Sequence, residues 1–188
     1  MPKEGDNRVL HIALDESNHG RYPEIIVAVC SFVKNDADLR RISGRERMTE
    51  EELTRYLRDE RRDYCYASAK KGQIERNRNQ LVEAAPDLID ELLRRMKKRH
   101  EVVDSLDIML DGEGRLKEIG EFYEGLQRMK LLRRLDVAGL QYYPKSSTGE
   151  YAYSRILIAA DTLANLLFRR QSFIDNIGAE ERRIELRG

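Results

Sequence analysis

The sequence predicts an α/β fold: a mixed five-stranded sheet, an antiparallel hairpin first and parallel strands after it, with helices on both faces. Three observations predict it. Two apolar, β-branched runs, "RVLHIAL" (8–14) and "EIIVAVCSFV" (24–33), flank "DESNHGRYP", whose Asn, Gly and Pro are turn chemistry, giving a hairpin with a long loop. Downstream, apolar runs alternate with stretches of helical periodicity in the order β-β-α-β-α-β-α-β-α, which places helices over a mixed sheet. No repeat, low-complexity tract or Pro- or Ser-rich linker interrupts the 188 residues, so a single domain over 1–188 is expected. A chain of this length buries roughly 70% of its unfolded surface around one core and needs no metal or disulfide to fold.

The elements follow in order. After the hairpin, "TEEELTRYLRDE" (49–60) opens with Thr and three acids, a helix N-terminus by capping and by the helix dipole. "DYCYASA" (63–69) alternates Tyr, Cys and Ala as a third strand would. From Arg76 to His100, Leu81, Ala84, Ala85, Leu88, Ile89, Leu92, Leu93 and Met96 recur at helical spacing and give one core face. Its tail, "RRMKKRH", has the look of a nucleic-acid patch, but cations at a helix C-terminus also complement the dipole, the preferred reading. "SLDIMLDGEG" (105–114) reads as a fourth, buried strand ended by Asp-Gly, 115–133 as a helix, "LDVAGLQYY" (135–143) as the fifth strand, and 151–172 as the last helix.

Composition narrows the function only locally. Thirty-four basic and 34 acidic side chains cancel, so the overall field neither announces nor excludes a nucleic-acid partner. Cys30 and Cys65 are too few and too far apart for a secreted disulfide framework, and neither lies in a CxxC, which disfavours zinc. The N-terminus lacks a signal-peptide core, and the longest apolar stretch, "ILIAADTLANLLF", is too short to span a bilayer and carries an Asp, so a cytoplasmic protein with no membrane partner is expected. There is no GxxxxGK[ST], no GxSxG, no glycine-rich turn after the first strand and no zinc-like histidine set among three histidines.

Carboxylates are the informative residues. In such sheets ligands gather beyond the carboxyl ends of neighbouring parallel strands. Asp15 closes the first strand and Asp111 the fourth; if the two strands are parallel neighbours, these acids lie side by side. Asp161 stands one to two turns from Leu157, Ala164 and Phe168, on or beside the buried face of an otherwise apolar helix. An uncompensated carboxylate there costs several kcal/mol, so it needs a partner, either a divalent cation or an arginine. Taken singly, Asp-Gly is a common tight turn and Asp15 could cap its own loop. Taken together, three convergent carboxylates repel one another unless a hard cation, Mg²⁺ or Mn²⁺, joins them.

Lesser candidates surround them. Glu16 points to the opposite side of a regular strand but stands at its end; Asp107 shares a face with Asp111 about 13 Å deeper. His19 could shuttle a proton, though a loop histidine without a role is as good a reading. Lys145, in "YYPKSSTGEY", could neutralise a phosphate at the carboxyl side of the sheet, and Tyr142, Tyr143, Tyr151 and Tyr153 could stack bases or fill the core. Arg61, Arg62, Lys70, Lys71, Arg76 and Arg78 form the densest basic stretch apart from the helix tail, the preferred phosphate-tracking surface.

These residues carry a resemblance. "HIALDES", the hairpin, "LDIMLDG" and the late "AADTLANLL" resemble the RNase H-like (retroviral integrase-like) superfamily over nearly the whole chain, and within it most resemble families that open on Asp-Glu-Ser, one of them archaeal. The opening is also distantly similar to type 2 ribonuclease H, where Asp-Glu is followed by Ala-Gly-Arg-Gly; here Ser17-Asn18-His19-Gly20-Arg21 stands instead. The resemblance implies a nuclease or nucleic-acid processing enzyme with two Mg²⁺ or Mn²⁺ ions about 4 Å apart. On this reading Asp15 bridges both ions, Asp111 and Asp161 each anchor one, and Glu16 assists; the basic residues expected to meet RNA, DNA or a hybrid are Arg21, Lys70, Lys71 and Lys145. A binding or scaffold module without chemistry and a small-substrate phosphohydrolase are the alternatives, and an exposed sheet end leaves a homodimer open.

Overall fold

The structure, a computed structural model, describes residues 8–17, 23–43, 47–70, 80–111, 120, 122, 124–127, 136–143, 150–169 and 177–186. Five strands form the body of one mixed sheet: β1 (Val9–Ser17), β2 (Glu24–Ser31), β4 (Arg62–Ala69), β5 (Ser105–Asp111) and β6 (Asp136–Tyr143). A two-residue strand, β8 (Arg183–Ile184), extends it, giving the order β6-β5-β1-β2-β4-β8. β1 pairs antiparallel with β2 and β2 antiparallel with β4, while β5 runs parallel to β1 and β6 parallel to β5. The hairpin followed by parallel strands is thus the arrangement that the pattern of apolar runs implies.

Helices cover both faces. Along β1, Leu10, Ile12 and Leu14 turn to the side of α3 (Gln80–Lys98), where Ala85, Leu88, Ile89 and Leu92 meet them, joined by Phe122 and Leu126. Ala13, Val27, Val29, Tyr64, Tyr66 and Met109 turn to the other side, against α4 (Arg155–Arg169) and against Leu53 and Tyr56 of α2 (Glu50–Leu57). This period-two division gives the sheet two cores, each fully buried Leu or Ile adding about 1.5–3 kcal/mol. α2 begins as its sequence indicates. The Thr49 hydroxyl accepts from the Glu52 amide at 3.2 Å and the Glu52 carboxylate accepts from the Thr49 amide at 2.7 Å, a reciprocal cap.

Three parts differ from the sequence expectation. β1 continues past Asp15, because Asp15, Glu16 and Ser17 pair with Val27, Ile26 and Ile25; the acids lie inside the ladder and do not end it. Residues after β2 form a short helix, α1 (Lys34–Ala37), and a strand, β3 (Arg40–Ser43). The segment expected to start the last helix instead forms β7 (Glu150–Tyr153), because Tyr151, Ala152 and Tyr153 pair antiparallel with Ile42, Arg41 and Arg40 in a separate two-stranded sheet. Of the helix expected over 115–133, residues 120, 122 and 124–127 are described, and all are helical. No helix among the described residues is long and apolar enough to cross a membrane.

The α3 tail is occupied by ion pairs. Arg94 meets Asp90 at 2.7 Å, Arg95 meets Glu91 at 3.0 Å, and Arg99 meets the buried Asp63 at 3.5 Å, where Arg182 also converges. Beside them, burial pushes the Cys30 thiol up to about 12, against the opposing pull of Arg99, Arg182 and Arg95. Burial also raises Cys65, whose Sγ donates to the Leu88 carbonyl at 3.3 Å. Since the thiolate is the reactive form, the folded protein is expected to leave Ellman's reagent unreacted at pH 8 and to release both free thiols only in denaturant. Rapid native titration of either would contradict this burial.

Candidate functional site

The C-terminal ends of β1, β5, β6 and β4 lie at one end of the sheet, together with the N-terminal end of β2. Strands β1 and β5 are parallel neighbours in the register Ala13 to Met109 and Leu14 to Leu110. The next step brings Asp15 and Asp111 level with each other on adjacent strands. Ala13 and Met109 belong to the α4 side, so by strand alternation Asp15 and Asp111 are positions on that same face. The side chain of Asp111 lies outside the described residues' side chains. Asp15 is buried, and its Oδ1 accepts from the Glu16 amide at 2.7 Å.

Helix α4 packs across β1 and β2 on this face, and it carries Asp161. At 100° per residue Asp161 falls at the flank of the stripe formed by Ile156, Ala160, Leu163, Ala164 and Leu167. It is only 1% exposed. Its carboxylate accepts from Arg47 Nε through Oδ2 at 3.3 Å and from Asn165 Nδ2 through Oδ1 at 3.2 Å. The neighbouring Thr162 accepts from the Met48 amide at 3.1 Å and donates to the Ile158 carbonyl at 2.8 Å. The segment 47–49 is thereby fastened to α4 immediately before the cap of α2. Of the two partners the sequence allowed for Asp161, an arginine is present here.

The three aspartates therefore belong to one face, Asp15 and Asp111 by register and Asp161 by the helix laid over it. Among the described residues no three His, Cys, Asp or Glu side chains gather into a metal-binding group. Asp15 and Asp161 offer carboxylate oxygens from a buried setting, the donor type that a hard cation takes.

Glu16 is in regular register with Ile26, which packs on the α3 side, so Glu16 belongs to the opposite face together with the buried Glu24. Lys70, directly after β4, is exposed at the same end as Asp15. Arg21, His19, Lys71, Arg76, Arg78 and Lys145 lie outside the described residues. The basic stretch that includes Arg61 and Arg62 is not one surface. Those two stand at the start of β4 and Lys70 at its end, about 26 Å apart for eight extended residues. Tyr153 is buried against α4, which settles its use as core.

The end of the face opposite the aspartates holds a polar row that the sequence did not disclose. Arg62, Ser31, His11 and Asp107 are consecutive cross-strand partners over β4, β2, β1 and β5. His11 Nδ1 lies 2.9 Å from Asp107 Oδ2, so Asp107, the reserve candidate, is engaged away from the aspartate end. Arg62 donates to Asp36 Oδ2 through Nε at 2.6 Å and to Oδ1 through a terminal nitrogen at 3.2 Å. The Ser31 and Tyr56 hydroxyls also donate to Oδ2, at 2.7 and 3.0 Å. The guanidinium stacks 4.1 Å above the Tyr56 ring. Arg62 is thus a folding residue, and the exposed Arg61 is paired with Asp59 at 2.7 Å.

No family model matches the chain, and no curated protein is significantly similar to it.

Proposed function

We propose that this chain is a Mg²⁺- or Mn²⁺-dependent nuclease of the RNase H-like class, acting on RNA, DNA or a hybrid. The observation that carries the reading is the placement of Asp15 and Asp111 at one level of adjacent parallel strands, with Asp161 buried in the helix over the same face. That end of the sheet is where α/β folds collect ligands. Asp15, Asp111 and Asp161 would hold the cations, Asp15 centrally because β1 lies inside the sheet. Bound there, the cations supply an activated water and charge for the leaving oxygen of a phosphodiester. The chain's own part is to bury the Asp15 and Asp161 carboxylates, where charge is weakly screened, and to present the exposed Lys70 to a phosphate at the same end of the sheet as Asp15.

The test is cleavage of labelled single-stranded and duplex DNA, RNA and hybrid with Mn²⁺ and with EDTA, by wild type and Asp15→Asn. Cleavage that needs both the metal and Asp15 is the expected result; turnover that survives EDTA or the substitution would sink the reading. Phosphate release from nucleotides alone would make the chain a small-substrate phosphohydrolase. The Arg47–Asp161 pair favours a second reading, a nucleic-acid-binding module whose acids are purely structural. It requires binding that is indifferent to all three aspartates and no turnover with any metal.

A further inference from the structure

Arg47 and Asp161 form an unequal pair. The Asp161 side chain is 2% exposed and that of Arg47 is 41% exposed, with a 3.3 Å contact between them. A charged carboxylate cannot stay buried without a counter-charge, and within the described structure Arg47 provides it. The arginine reaches in from solvent on the segment 47–49. That segment is anchored to α4 by the Met48–Thr162 hydrogen bond at 3.1 Å and continues into the capped start of α2.

We infer that Arg47 is a displaceable counter-ion, a cationic plug that holds Asp161 until a divalent cation takes its place. This rests on the metal-dependent reading of the site. A guanidinium and a divalent cation cannot share one carboxylate without strong like-charge repulsion. Metal entry and release of Arg47 are therefore a single exchange. Two features suit the exchange. Asn165 remains on Oδ1 at 3.2 Å and keeps the carboxylate oriented after Arg47 leaves. Arg47 is already half in solvent, so its guanidinium is hydrated at small cost when it swings away.

Because the Arg47-engaged state does not bind metal, it lowers apparent metal affinity by the fraction of molecules that occupy it. Equilibrium Mn²⁺ binding, followed calorimetrically, should be on the order of tenfold tighter in Arg47→Gln, which keeps a hydrogen-bond donor without charge, and near wild type in Arg47→Lys. Equal or weaker binding in Arg47→Gln overturns the inference while leaving the metal reading intact. Absence of Mn²⁺ binding in both wild type and Arg47→Gln removes the metal reading, and the inference with it. A second measurement needs no variant. Phenylglyoxal modification of Arg47 in the wild-type protein, mapped by mass spectrometry, should accelerate severalfold on Mn²⁺ addition; an unchanged or slower rate counts against displacement.

Discussion

Asp36→Ala is expected to lower the free energy of unfolding by about 3–5 kcal/mol, read from urea denaturation midpoints at constant slope. Asp36 is 2% exposed and receives Arg62, Ser31 and Tyr56. Removing it strands a guanidinium that is itself only 10% exposed and leaves two buried hydroxyls without their acceptor. The double variant Asp36→Leu/Arg62→Met should recover much of the loss, because no charge then remains to be compensated. A single-variant loss below about 1 kcal/mol, the range of a surface pair, would show that the network contributes little.

The same carboxylate has an acid signature. Burial acts to raise its pKa, yet the hydrogen bonds of Arg62, Ser31 and Tyr56 and the Arg62 charge prevail and hold it below the ordinary 3.8. A depressed folded pKa means stability that is fully present above the ordinary aspartate value and is lost as pH falls through the lowered one. Wild type should therefore lose stability more steeply than Asp36→Ala below about pH 4. Tyr56 keeps its proton throughout, since burial and the neighbouring Asp36 charge push its hydroxyl far above the usual range.

Asp15→Asn is expected to reduce metal-dependent cleavage by more than about 100-fold, because even the groups that merely orient metal ligands are worth 10–100-fold. Its melting temperature should match or exceed that of wild type. Asparagine keeps the shape and can still accept from the Glu16 amide, while one negative charge leaves a face that also carries Asp111 and Asp161. Loss of activity together with loss of fold would instead point to a structural aspartate, and unchanged cleavage would exclude Asp15 from the chemistry.

The strands were legible for two reasons: burial on both faces demands a continuous apolar run, which β2 spells out over "EIIVAVCS", and β4 shows the alternation of Tyr with Cys and Ala in "RDYCYASA". Asp161 was legible for the complementary reason, an acid in an apolar helix. Its partner was not: Arg47 lies 114 residues away, in "SGRERMTE", where nothing separates it from Arg45. Asp36 was hidden in the same way. "KNDADLRR" reads as a polar loop, and its aspartate is buried only because Arg62 and Tyr56 arrive from elements 26 and 20 residues on. The β3–β7 ladder joins segments some 110 residues apart, and no local periodicity announces such a pairing. The end of β1 was misjudged because acids read as a strand terminus, whereas the β2 register carries the ladder through them.

The two ends of the α4 face have different consequences for change. Asp15 and the His11–Ser31–Arg62 row are about four residues of strand apart, near 13 Å, with Ala13, Val29 and Met109 between them. Sites this far apart contribute nearly independently. Substitutions at the two ends should then add: the Asp15→Asn/Asp36→Ala protein loses what Asp36→Ala loses, no more. The Asp36–Arg62 end can be strengthened, weakened or rebuilt as an apolar plug while the Asp15 end keeps its electrostatics, so thermal endurance and, on the proposed function, chemistry rest on separate residues.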